Sequence, residues 1–204
     1  FRLPISDRTL SDLGAVVTSS GGNFTLSHLT DGDLATNNLL PRDSVKGYAW
    51  IQFAFSQAQT IKAITMVGGG NPGVFGSGAD PKDSRVFESS DDGINFKFIC
   101  HIVPGSILQQ TIAIPDITAR YFRVTVKNPP PQFNALAAMV GINMPPVTPP
   151  GTDIAEIVLH TADVINRFEE KSAFAPVGDL NTKITSETND VVVTSNIIDL
   201  TGNM

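Results

Sequence analysis

Two stretches of this chain alternate so regularly that each reads as a half-buried β-strand. In Ala49–Phe55, Trp50, Gln52 and Ala54 oppose Ile51, Phe53 and Phe55. In Tyr121–Lys127, Phe122, Val124 and Val126 oppose Tyr121, Arg123 and Thr125. Successive side chains on a strand point to opposite faces, so a period of two in β-branched and aromatic residues marks one face on a core and one towards water. Shorter runs of the same kind occupy Thr60–Val67, Ser84–Glu88, Asn95–Ile102 and Gln109–Ile114. Among the 204 residues, 17 glycines and 14 prolines punctuate these runs, as expected for many strands joined by turns. Ser90-Asp91-Asp92-Gly93-Ile94-Asn95 reads as a hairpin turn, in which the carboxylates serve the turn rather than chemistry. The expected fold is mainly β, an antiparallel sandwich or barrel.

Beyond Lys127 the pattern changes. Asn128-Pro129-Pro130-Pro131 is stiff, and residues 145–151 form a proline-rich spacer. A further strand is expected over Ile154–His160, a short helix around Ala162–Lys171, and one or two strands within Asp190–Leu200. Residues 1–163 thus form the sandwich, and 164–204 a C-terminal α/β extension too small to hold a core of its own. The chain starts at Phe1 without a leader and stops at Met204. It reads as a segment of a longer protein.

The net charge of −6 provides no basic stripe for phosphates, so no nucleic-acid partner is expected. No window approaches the roughly 20 apolar residues of a membrane helix, so no membrane span is expected. The single cysteine, Cys100, is placed on a strand face with Phe98 and Ile102, opposite His101, as a buried structural thiol. Trp50 is assigned to the core. Gly68-Gly69-Gly70-Asn71-Pro72-Gly73 matches G-x-G-x-x-G formally, but Pro72 and more glycines follow instead of a helix, so it reads as a surface loop. The histidines His28, His101 and His160 belong to no zinc-protease motif. The acidic residues lie in turns or in the charged run Glu169-Glu170-Lys171, so no catalytic residue is assigned. Asn23-Phe24-Thr25 is a glycosylation sequon, idle in a bacterial protein.

Several segments in order resemble discoidin-like, galactose-binding-like sandwiches. They are His28–Thr36 with Asp31-Gly32-Asp33, Ala49–Phe55, Ser89–Phe96, Ala119–Val124 and Ile154–Leu159. The resemblance covers about residues 10–160 and implies a jelly-roll-type sandwich. Asn166–Phe174 and Ile198–Met204 are similar to segments of bacterial α-L-rhamnosidase-type glycoside hydrolases. That similarity implies a non-catalytic accessory sandwich, structural or carbohydrate-binding, from a secreted or periplasmic enzyme whose catalytic domain lies outside this chain. A free-standing module binding a glycan or a protein in adhesion is the alternative.

The resemblance also implies a structural calcium at the first loop. Asp31 would supply its carboxylate, Asp33 a carbonyl, Thr36 its carbonyl and hydroxyl, and His28 a carbonyl. Ala155 and Glu156 would arrive from the closing strand. Calcium takes six to eight oxygens, which such a loop can provide; a metal-free turn in which Asp31 bonds nearby amides is the competing reading. A plant or bacterial glycan would meet Asn37, Asn38, Arg42, Asn71 and Phe75, since sugar sites combine an aromatic platform with a few polar groups. The sequence departs from common glycan binders here, because Asn37 rather than an aromatic follows Thr36.

Overall fold

The computed structural model describes residues 8–33, 36–68, 84–102, 109–131, 141 and 144–171. Among these residues seven strands and two single-turn helices follow in order: β1 (Val16–Ser19), α1 (Leu26–Leu29), β2 (Asn38–Pro41), β3 (Tyr48–Gly68), β4 (Arg85–Ser90), β5 (Lys97–His101), β6 (Gln109–Lys127), β7 (Gly151–His160) and α2 (Phe168–Lys171). All pairings are antiparallel, in the order β2-β7-β3-β6-β4-β5, with β1 also on β3.

This sheet closes into a sandwich because β3 and β6 each run through both layers. The sequence suggests separate strands at Ala49–Phe55 and Thr60–Val67, but β3 is continuous. Ser56-Gln57-Ala58 contains no glycine, proline, asparagine or aspartate to set a tight turn, so the strand bends instead, and its register against β6 jumps between Ala54 and Gln59. The runs Gln109–Ile114 and Tyr121–Lys127 are likewise one strand. Pro115 falls in the second irregularity, between the pairs Ile61–Ile117 and Ala63–Ala113, where no ladder bond is needed from it.

The core lies between the layers. Ile51, Phe53, Phe55, Phe87 and Phe122 join Ile64, Met66, Ile157 and Leu159 in one buried cluster. The Phe122 ring lies nearly parallel to Phe87 at 5.8 Å and meets Phe55 edge-on at 6.2 Å. Each such side chain contributes about 1.5–3 kcal/mol on burial. Trp50 does not belong to this cluster. It shares the outer face of β3 with Gln52, because the core face is already taken by Ile51 and Phe53. On that outer face Glu88 Oε2 accepts from Arg123 Nε (3.0 Å) and from the Thr125 hydroxyl (2.6 Å), and the Arg123 guanidinium lies 3.6 Å over Phe96.

The alternation expected around Cys100 holds for Cys100, His101 and Ile102 but fails at Phe98, for a local reason. Phe87 pairs with Cys100 but Glu88 with Phe98, so Ile99 is an extra residue, a bulge that reverses the faces on either side of it. Phe98 therefore sits with His101, ring centroids 4.8 Å apart, and is 58% exposed. Cys100 packs against the core, and burial pushes its thiol up to about 12, which keeps it protonated.

Only Phe168–Lys171 of the expected helix at 162–171 is helical. The segment before it runs along β6 and hydrogen-bonds to it. Asn166 Oδ1 accepts from Ala113 N (3.0 Å), and Arg167 N donates to Thr111 O (2.8 Å). Glu169, 3% exposed, takes Thr111 N (3.1 Å), the Thr111 hydroxyl (2.6 Å) and Gln109 Nε2 (2.9 Å). These contacts occupy an edge of β6 that could otherwise recruit another strand. The Thr111 hydroxyl hydrogen goes to Glu169, so the 2.8 Å contact between Thr65 and Thr111 takes its hydrogen from Thr65. The contact of Thr65 with His160 Nε2 (2.8 Å) then takes its hydrogen from the imidazole. Asp190–Leu200 lies outside the described residues.

Candidate functional site

The end of the sandwich that carries the sequence-assigned residues is built from α1, β2 and β7. Thr25 caps α1, accepting from His28 N at 3.4 Å, and the Thr30 hydroxyl closes the turn on Leu26 O at 2.9 Å. Leu29, wholly buried, fixes the helix to the core. The following loop is closed by its own side chains. Asp31 Oδ1 accepts from Asp33 N (2.8 Å), and the Thr36 hydroxyl donates to Asp33 Oδ2 (2.7 Å). The turn in which Asp31 bonds a nearby amide is thus present.

Helix α1, which leads into the loop, packs on β7, the strand bearing Ala155 and Glu156. Gly68 of β3 faces this part of β7 at φ +95°, and a Cβ there would lie 2.8 Å from Asp153 O, so the close approach requires glycine. Ala155 is 1% exposed. Glu156 is 7% exposed, lies on the face of β7 that carries Val158 and His160, and leaves Oε1 buried without a hydrogen bond. A buried carboxylate oxygen in that state favours a cation or an ordered water. Among the described residues no group of three His, Cys, Asp or Glu side chains gathers, so a cation here would need backbone carbonyls as well. His28 is exposed beside the loop.

The residues assigned to sugar divide. Asn37 is exposed and has no hydrogen bond among the described residues. Asn38 pairs with Ile154 in the sheet, and its Nδ2 is buried without a partner. Arg42 ties the proline-rich spacer to β2, its backbone N donating to Pro150 O (2.9 Å) and Nη1 to Pro149 O (3.1 Å). Asn71 and Phe75 lie outside the described residues. Beside Arg42, the Asn128 side chain clamps Asp43, donating to its carbonyl at 2.7 Å and accepting its amide at 3.2 Å. This end therefore has a firm backbone frame with a free amide on it.

A second feature was not picked out by sequence. An open cleft of about 300 Å³ lies where the β4–β5 hairpin meets the bend of β6, lined by residues 89–91, 97–99 and 116–119. The hairpin turn is organised by Asp92, which accepts from the amides of Ile94 and Asn95, each at 2.8 Å, and from Asn95 Nδ2 at 2.7 Å. Those donors hold its carboxyl well below the usual carboxylate range. Gly93 turns the chain at φ +76° beneath the Tyr121 ring. The doubled aspartate was the only signal of the cleft in the sequence, since its walls come from segments some 20 residues apart.

Comparison with known proteins gives a consistent outcome. The profile described as F5/8 type C domain matches residues 14–139. The solved structure of CpGH89CBM32-6 from Clostridium perfringens superposes with TM-score 0.51 at 17% identity, over 76% of this chain and 99% of that one. A rhamnosidase from Novosphingobium sp. PP1Y superposes with TM-score 0.52 at 20% identity, over 76% of this chain and 12% of that one. No curated protein sequence matches the chain.

Proposed function

Because the chain belongs to the F5/8 type C domain family, we propose that it is a non-catalytic carbohydrate-binding sandwich that serves as an accessory part of a secreted or periplasmic bacterial glycoside hydrolase of α-L-rhamnosidase type. The observation that carries the reading is the α1–β2–β7 end, where the exposed Asn37 amide stands unengaged next to Asn38, whose backbone is paired with Ile154 of β7. A free amide on a rigid frame is what oriented recognition of sugar hydroxyls needs. The partner is a plant or bacterial glycan, met by Asn37, Asn38 and Arg42 together with Asn71 and Phe75. The likeness to a rhamnosidase, of which a sandwich of this size is only 12%, supports the accessory role.

A structural calcium completes the same end. Asp31 and Glu156 supply carboxylate oxygens, and His28, Asp33, Thr36 and Ala155 supply carbonyls. The support is the unpartnered Oε1 of Glu156 on β7, the strand against which α1, the helix preceding the loop, packs. The ion's chemistry here is electrostatic only, joining the first loop to the closing strand. A glycan array probed with the whole chain tests the binding. Signal on rhamnose- or galactose-containing glycans that falls in Asn37→Ala supports the reading, whereas an empty array contradicts it. Unaltered oligosaccharide after prolonged incubation is the result expected of a non-catalytic module, and cleavage would contradict that part.

A further inference from the structure

The hairpin-end cleft is far from the end just described. Ile117, on its wall, pairs with Ile61 of β3, whereas Asn38 and Gly68 share Ile154 as their partner at the other end. Ile61 and Gly68 are seven residues apart, about 23 Å along an extended strand. A single sugar ring cannot touch both places.

The cleft's chemistry is uneven in an informative way. Its floor is apolar, from Ile99, Ile117 and the nearly buried Ala119. Its rim bears Asp91, Lys97 and Asp116, all exposed, with Asp116 63% exposed even though it lies 3.7 Å from Lys62. The turn uses only one of its two adjacent aspartates, since Asp92 accepts the hydrogen bonds that shape it. The side chains of Asp91 and Lys97 make no hydrogen bond or ion pair among the described residues. Phe98 borders the cleft and keeps over half its surface in water, a costly exposure for an aromatic beside such a rim.

We infer that this cleft is a second carbohydrate subsite, taking one neutral pyranose of a glycan. The C–H face of the ring lies on Ile99 and Ile117, while the Asp91 and Asp116 carboxylates accept its hydroxyl hydrogens and the Lys97 ammonium donates to a ring or hydroxyl oxygen. Counting Lys62, 3.7 Å from Asp116 and 3.1 Å from Asp163, the three carboxylates Asp91, Asp116 and Asp163 outnumber the two ammonium groups Lys62 and Lys97, so this edge is net negative, which disfavours uronates and selects neutral sugars. The inference rests on the carbohydrate-binding reading and adds a second contact to it. A chain gripping one glycan, or two strands of a polysaccharide, at both ends would gain avidity without any tighter single site.

The test is a two-dimensional amide NMR titration of the whole chain with galactose, L-rhamnose and N-acetylglucosamine, each to tens of millimolar. Galacturonic acid serves as the anionic arm. Neutral sugar is expected to shift the amides of Asp91, Lys97, Ile117 and Thr118. Galacturonic acid should shift them several-fold less. Lys97→Ala and Asp91→Asn, both at exposed positions, should each weaken hairpin-end binding at least fivefold with an unchanged melting temperature, while Asn37→Ala leaves it intact. Shifts confined to residues 36–42, or hairpin-end affinity indifferent to both variants, would overturn the second subsite and leave the first standing. Shifts at neither end would overturn both.

Discussion

Glu169 and Glu156 are both buried glutamates, and their surroundings differ in kind. Glu169 takes three hydrogen bonds from Gln109 and Thr111, so the protein itself satisfies its carboxylate. Glu156, almost as deeply buried, leaves an oxygen without a protein partner. The same residue type at similar depth therefore does two jobs. Where the chain supplies the donors, the carboxylate is a fastener that holds residues 166–171 along β6. Where it does not, the carboxylate is available to something from outside the chain, and the calcium proposal rests on that difference.

Substitutions at the two glutamates and their partners should separate the two roles. The largest effect is expected at Glu169: Glu169→Ala strands the Thr111 and Gln109 donors and should cost about 3 kcal/mol in denaturant unfolding. A loss under about 1 kcal/mol would show that the 166–171 segment contributes little to the fold. Next comes calcium. At a free concentration a hundredfold above its dissociation constant, the ion should stabilise the chain by about 2.7 kcal/mol, and Glu156→Gln should abolish that increment. A melting temperature indifferent to both calcium and chelator would contradict the proposal. Thr111→Val keeps the shape of the side chain but removes the hydroxyl between Thr65 and Glu169, and about 1–2 kcal/mol should be lost.

The smallest effect concerns the paired aspartates of the hairpin. The Asp92 carboxyl is depressed in the folded state, so its contribution is fully present above the unfolded value near 3.9 and is lost as pH falls towards the folded one. Asp92→Asn should lower the melting temperature by a few degrees at pH 7, with the difference from wild type shrinking below about pH 4. Asp91→Asn, with no hydrogen bond to lose, should leave the melting temperature unchanged at either pH.

Much of the sandwich was legible in the residue pattern, because alternation in Ala49–Phe55 and Tyr121–Lys127 follows directly from burying one strand face. What escaped were features set by one residue or by tertiary contact. The extra residue at Ile99 turns Phe98 outwards, and a period of two cannot register such a bulge in advance. Trp50 looks like a core residue by type, yet the core face of β3 was already filled by Ile51, Phe53 and Phe55. The Asp31 loop and Glu156 were singled out through family resemblance alone, and the structure adds that α1, just before the loop, packs on β7. The hairpin-end cleft was out of reach, since only the bend of β6 brings Ile117 and Thr118 to the turn at Asp91.

The proposed function is carbohydrate binding without catalysis. Isothermal titration of the whole chain with rhamnose- and galactose-containing oligosaccharides tests it most directly. The predicted result is a saturable heat for at least one of them, reduced several-fold in Asn37→Ala, with the oligosaccharide recovered intact. Flat heats at millimolar sugar across the series would contradict it.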